Sequence, residues 1–134
     1  MDGTDALAAI AAAQHFLDAY NFALATGVTD TLVQMSSSGC QNCATLQSSI
    51  AEIYSSGGWQ TGGAIAYEGA TVSENNPSPG FFIVQFATDE GEAREYEGGG
   101  SEVRSLPASQ ALTQITVSRM DRQWRVVAIS SGDR

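Results

Sequence analysis

The sequence predicts an α+β domain in which three helices come first and an antiparallel sheet of four or five strands follows. Three observations carry this prediction. Apolar residues recur at steps of three and four up to Tyr54, they alternate from about Trp59 onward, and no strand–helix–strand crossover interrupts the alternation. The last point excludes a doubly wound parallel sheet. The 134 residues suffice for one core. No repeat or long linker divides them, so residues 1–134 read as a single domain, with 1–3 as a linker remnant.

The first helix is expected from about Thr4 to Thr26, capped by Thr4 or Asp2 and ended by Gly27. Ile10, Ala13, Leu17, Tyr20 and Leu24 define its inward face, widened by Phe16 and Ala23, while His15 and Phe22 lie opposite. Asp18 and Asn21 border the inward face one turn apart. Thr29-Asp30 caps a short second helix through Leu32, Val33 and Met35. The third helix starts at Ser36-Ser37-Ser38-Gly39-Cys40-Gln41-Asn42-Cys43 and runs to about Tyr54, with Ser38 or Gly39 as its cap and Gly57-Gly58 as its end. Cys43, Leu46, Ile50, Ile53 and Tyr54 form its apolar stripe.

Ala64–Ser73 reads as the first strand, with Ile65, Tyr67 and Thr71 on one face. Asn75-Asn76-Pro77-Ser78-Pro79-Gly80 is a turn. In Phe81–Thr88, Phe82, Val84 and Phe86 share one face, and Phe81 and Ile83 the other. Asp89-Glu90-Gly91-Glu92 reads as a hairpin turn into a polar strand, Ala93–Glu97. Gly98-Gly99-Gly100 is a bulge or loop. Gln110–Met120 and Gln123–Ser130 close the chain as a hairpin around Asp121-Arg122.

Composition narrows the function. Fifteen carboxylates face six arginines and no lysine, a net charge of −9. Such a chain offers no positive surface for nucleic acid or an anionic membrane. No segment is apolar for long enough to span a bilayer, and Met1-Asp2-Gly3 lacks the basic start and apolar run of an export signal, as either a chain trimmed of an export segment or a cytosolic chain would.

The two cysteines, three apart, suit a disulfide that stabilises by about 2 kcal/mol. The alternatives are a thioredoxin-type redox pair, which ordinarily follows a strand, and a metal site, for which the ligands are too few. A structural Cys40–Cys43 bond is the preferred reading. His15 is the only histidine and points away from the core, so histidine-based triads are excluded. Asp18 is the one weak catalytic candidate, as a proton shuttle with Tyr20 or Tyr67 as donor; a wet helix edge is the plainer reading. Tyr20, Asn21, Trp59, Tyr67, Phe82, Phe86 and Trp124 are candidates to line a small-molecule pocket, against the alternative of core packing. The acidic run from Asp89 to Glu102 lacks calcium-loop spacing and reads as a charged strand that discourages edge pairing. No cofactor and no metal are expected.

The order of elements, with the closing pair Ile115-Thr116-Val117 and Gln123-Trp124-Arg125-Val126-Val127, resembles the NTF2-like, or cystatin-like, cone. That likeness implies a long helix lying in a bent sheet around a conical pocket. Phe16 through Gly27, Thr29 through Leu32, Ser36 through Cys43 and Gly57-Gly58-Trp59 resemble more closely the DUF6318 family of actinobacterial lipoproteins of unknown function. This resemblance implies export, a lipid anchor on an upstream cysteine, and no known catalytic residues. The expected role is therefore an extracytoplasmic, non-catalytic domain that binds a small apolar ligand or a protein. The alternative is an isomerase or dehydratase that uses a pocket carboxylate and a tyrosine. A homodimer through the Phe81 and Ile83 face is also expected.

Overall fold

The structure, a computed structural model, describes residues 3–74 and 79–133. Three helices, α1 (Gly3–Thr26), α2 (Asp30–Met35) and α3 (Gln41–Ser55), precede seven strands. The strands are β1 (Trp59–Gly62), β2 (Ile65–Glu74), β3 (Phe81–Glu90), β4 (Ala93–Tyr96), β5 (Glu102–Leu106), β6 (Ser109–Met120) and β7 (Gln123–Gly132). The fold is α+β, as expected, but seven strands in two antiparallel sheets replace the single sheet of four or five. The larger sheet has the order β2-β3-β6-β7 and the smaller β1-β4-β5.

The physical reason is where β3 ends. Asp89 and Glu90, expected in a hairpin turn, pair with Ala66 and Ile65 of β2 and with Gln110 and Ser109 of β6. β3 and β4 therefore do not pair with each other. The chain crosses at Gly91-Glu92 into the second sheet and returns at Ser109. Trp59–Gly62 and Glu102–Leu106 were not expected as strands because each is short and mostly exposed, which removes the apolar alternation that betrays a strand. The polar strand β4 is also not an edge. It lies between β1 and β5, with Arg104 opposite Glu95 at 2.5 Å and Arg94 near Glu92 at 3.3 Å and Glu102 at 3.7 Å. Cross-strand ion pairs, rather than edge protection, explain its charges.

α1 lies across all four strands of the larger sheet. Ala9, Ala13, Phe16, Leu17, Ala23 and Leu24 are buried against Phe82, Val84, Phe86, Ile115, Val117 and Val126. Full burial of each large apolar side chain contributes roughly 1.5–3 kcal/mol. His15 and Phe22 are exposed, as the helical spacing requires. Thr4 lies within α1 and is not its cap, and Asp2 falls outside the described residues. Thr29 precedes α2 but its side chain makes no capping bond.

α3 is capped by Cys40, not by Ser38 or Gly39: the Cys40 sulfur accepts from the Cys43 N–H at 3.2 Å. At its other end, the Gly57 N–H donates to Tyr54 O and the Gly58 N–H to Ile53 O. This pair of bonds turns the chain through a left-handed residue, Gly57 at φ +83°. The end of α2, the start of α3 and the segment between them are fastened to β7. The Ser37 N–H donates to Val126 O at 2.8 Å, the Asn42 amide donates to Ile129 O, and the Arg125 guanidinium donates to Gln34 O.

The turn residues Asn75, Asn76, Pro77 and Ser78 lie outside the described residues. A register shift between Glu68 and Thr71 bends β2 and puts Ala70 and Val72, not Thr71, on the face of Ile65 and Tyr67. The β6–β7 hairpin turns on Asp121 (φ 49°) and Arg122 (φ 68°), the conformation of a two-residue turn that follows the twist of its strands.

Candidate functional site

The sheet face under the helices is apolar at one end and polar at the other. Along β3 the inward residues are Phe82, Val84, Phe86, Thr88 and then Glu90. The first three fill the core. Where α1 ends and the chain crosses to the second sheet, the packing opens into two adjoining chambers that share Tyr20, Leu46, Glu90 and Ser109.

The inner chamber has a volume of about 250 Å³, with Phe16, Leu17, Ile65, Ala111 and Ile129 as its apolar walls. Three hydroxyls cross its floor. Thr88 Oγ1 lies 2.9 Å from Thr113 Oγ1 and donates to Ala111 O at 3.2 Å, and Thr113 Oγ1 lies 3.3 Å from Ser131 Oγ. Thr88 and Thr113 are buried in spite of their polarity, and this chain of bonds satisfies them. The outer chamber, about 360 Å³, is walled by Leu24, Ile50 and Ile53 from the helices and by Gln60, Ala93, Glu95, Arg104 and Leu106 from the smaller sheet.

Tyr20 and Glu90 stand where the chambers meet. Burial pushes the Tyr20 hydroxyl up to about 12, with the charge of Glu90 adding to the shift. Burial also raises the half-buried Glu90 carboxyl above its ordinary range. A carboxyl that holds its proton more tightly in the folded chain than in the unfolded one costs stability as pH rises through that window. Glu90→Gln is accordingly expected to raise the melting temperature near pH 7, with the difference from wild type vanishing below about pH 4, where both forms are uncharged. A thermal melt series across pH checks this. A variant no more stable at pH 7 than at pH 4, relative to wild type, would show that the carboxylate is fully solvated.

Of the residues expected to line a pocket, Tyr20 alone borders these two chambers. Asn21 instead clamps the start of β2: its side chain donates to Ile65 O at 2.9 Å and accepts from the Ile65 N–H at 2.8 Å. Trp59 stacks on Tyr96, centroids 5.3 Å apart, in the smaller sheet. Tyr67 packs against Phe86 at 5.2 Å, and Phe82 against Trp124 at 5.6 Å. Trp124 also lies under Arg119 and borders a shallow groove with His15. Asp18 accepts a hydrogen bond from the Tyr67 hydroxyl at 2.9 Å, so the expected carboxylate and donor do meet. Asp18 is exposed and lies outside both chambers. Burial, then the bond to Asp18, raises Tyr67.

Glu90 is the residue that sequence reasoning missed. Its signal was present, since it continues the inward series of Phe82, Val84, Phe86 and Thr88, but the glycine after it looked like a turn. Cys40 and Cys43 form a disulfide and are buried. Among the described residues no three His, Cys, Asp or Glu side chains come together as metal ligands would, and no helix is long and apolar enough to cross a membrane.

A family described as a family of unknown function (DUF6318) matches residues 1–130. Solved structures share the fold, two of them as follows. The intermembrane space region of the chloroplast protein ARC6 is similar over 100% of this chain and 98% of its own, with a TM-score of 0.66 and 12% identity. Aln2 from a Streptomyces species is similar over 92% of this chain and 89% of its own, with a TM-score of 0.52 and 9% identity. At such identities the likeness is one of fold. No curated protein matches the chain.

Proposed function

The chain belongs to the DUF6318 family, whose function is unknown, and from its own residues we propose that it is a non-catalytic binding domain with an NTF2-like cone. Its ligand is a small, mostly apolar molecule held between α1, α3 and the two sheets. The observation that carries this reading is the pair of adjoining chambers, apolar in their walls and polar at Tyr20, Glu90 and the Thr88–Thr113–Ser131 floor. Apolar walls with a few placed polar groups are the usual form of a small-molecule site. The domain works outside the cytoplasm, tethered through a lipid on an upstream cysteine. The buried disulfide supports that compartment, and the family resemblance supports the anchor. Two copies pair through the outer sheet face around Phe81 and Ile83, both half-buried.

A second reading has one observation in its favour. Glu90 and Tyr20 place a carboxyl with a raised pKa beside a hydroxyl inside a cavity, the pairing that an isomerase or dehydratase would need. If chemistry occurs, Glu90 rather than the exposed Asp18 carries it.

The test is a nuclear magnetic resonance screen of the domain with small apolar and hydroxylated ligands, repeated on Ala111→Phe and Asp18→Asn. Ala111 borders the inner chamber, and a phenyl ring there occupies existing space at a cost of roughly 1–3 kcal/mol or less. Binding is expected to be lost in Ala111→Phe and kept in Asp18→Asn. Binding that survives Ala111→Phe unchanged would move the site elsewhere, and turnover abolished by Glu90→Gln would replace the binding role with the enzyme.

A further inference from the structure

We propose that the ligand of this cavity is a small organic cation, an apolar body with one protonated amine that Glu90 receives. The proposal rests on the cavity being a ligand site and adds the chemical class.

The charges around the chambers decide the class. The inner chamber has one carboxyl, Glu90 on β3, and no arginine or histidine. The outer chamber adds Glu95 on β4 and Arg104 on β5, but these two neutralise each other at 2.5 Å. From α1 the only titratable neighbour is Tyr20, and α3 contributes Leu46, Ser49, Ile50 and Ile53, none of which ionises. The sole histidine, His15, is exposed on the far side of α1. Among the described residues, one negative charge is therefore left without a cationic partner in a half-buried site. A carboxylate taken partly out of water is stabilised by an opposite charge brought to it, and bonds between ionised partners are about twice as strong as neutral ones. An ammonium offers three N–H donors. Glu90 and the Tyr20 oxygen are two acceptors at one junction, which Ser109 also lines. The floor hydroxyls are already bonded to each other, so they ask less of a ligand. An anion would meet Glu90 with nothing to offset the repulsion.

Three probes of one size and different charge test this: 2-phenylethylamine, 2-phenylethanol and phenylacetate. Each is titrated into the wild-type domain by nuclear magnetic resonance near neutral pH. About 0.15 M salt screens the net charge of the surface. The amine is expected to bind about tenfold more tightly than the alcohol, with phenylacetate weakest. Glu90→Gln should remove that tenfold advantage and leave the alcohol's affinity as it was. An alcohol that matches or exceeds the amine in the wild type, with shifts at the cavity residues, overturns the cation and leaves the cavity as a ligand site. Failure of all three to bind overturns both. An amine preference that persists in Glu90→Gln also overturns the proposal, because the charge that selects would then lie elsewhere.

Discussion

Gly58→Ala is expected to lower unfolding free energy by about 3 kcal/mol, near the upper end of what overpacking costs. A Cβ at this position would overlap Tyr96 O and stand 2.9 Å from Ile53 O. Both are backbone atoms, so no rotamer can relieve the contact. One belongs to α3 and the other to β4, and the two must part for the methyl to fit. That parting loosens the smaller sheet where it docks on the helices. The sheet supplies Gln60, Ala93, Glu95, Arg104 and Leu106 to the outer chamber, so ligand affinity should fall along with stability. Urea unfolding measures the first effect and a titration the second. A loss under about 1 kcal/mol would mean that α3 and β4 shift apart easily.

The second large effect is expected at the disulfide, and it depends on which substitute is placed where. A bridge between residues three apart contributes about 2 kcal/mol by restricting the unfolded chain. The two positions then differ. Cys40 caps α3, so a serine there can take over the Cys43 N–H. Cys43 is fully buried among apolar groups, so a serine there brings a hydroxyl that costs a further 1–3 kcal/mol, roughly, if it finds no partner. Cys40→Ser with Cys43→Ala should therefore lose about 2 kcal/mol, and Cys40→Ala with Cys43→Ser about 4 kcal/mol. Chemical denaturation of the two double variants decides it, and equal losses would refute the asymmetry. Alkylation of the unreduced wild type should label neither cysteine.

Helix positions and the apolar strands were legible because periodicity records burial directly. Phe16 and Leu17 on α1, and Phe82, Val84 and Phe86 on β3, lie where their spacing put them. The smaller sheet was not legible. Its strands have four, four and five residues, and their side chains are held by cross-strand ion pairs and one aromatic stack, contacts that leave no hydrophobic rhythm. The Glu68–Thr71 shift likewise escaped, since an extra residue changes the facing of every residue after it and only pairing reveals it. The site suffered from the same limits. Spacing could not say which of the candidate aromatic residues would face a cavity; core packing takes most of them, and smaller residues such as Ala111 and Ser109 border the space that remains. Of the two donors expected for Asp18, Tyr67 is the one that meets it, and it does so at the exposed helix edge that was the plainer reading.

The excursion of the chain into a second sheet has a consequence for time as well as space. The hairpin of β4 and β5 leaves the larger sheet through Gly91-Glu92 and rejoins it through Pro107-Ala108, while the larger sheet is pinned by α1 along all its strands. Units with few buried apolar contacts open more often than the core that carries them. By parting from β1, the hairpin can thus lift while the wall behind Glu90 stays in place. The residence time of a bound molecule would then follow the opening frequency of the hairpin, so ligands of unequal affinity could leave at similar rates. Hydrogen exchange at the amides of Arg94 and Arg104, compared with Val84 and Ile115, shows whether the hairpin opens more readily than the larger sheet, and exchange under alkaline conditions, where exchange outpaces reclosing, reads its opening rate.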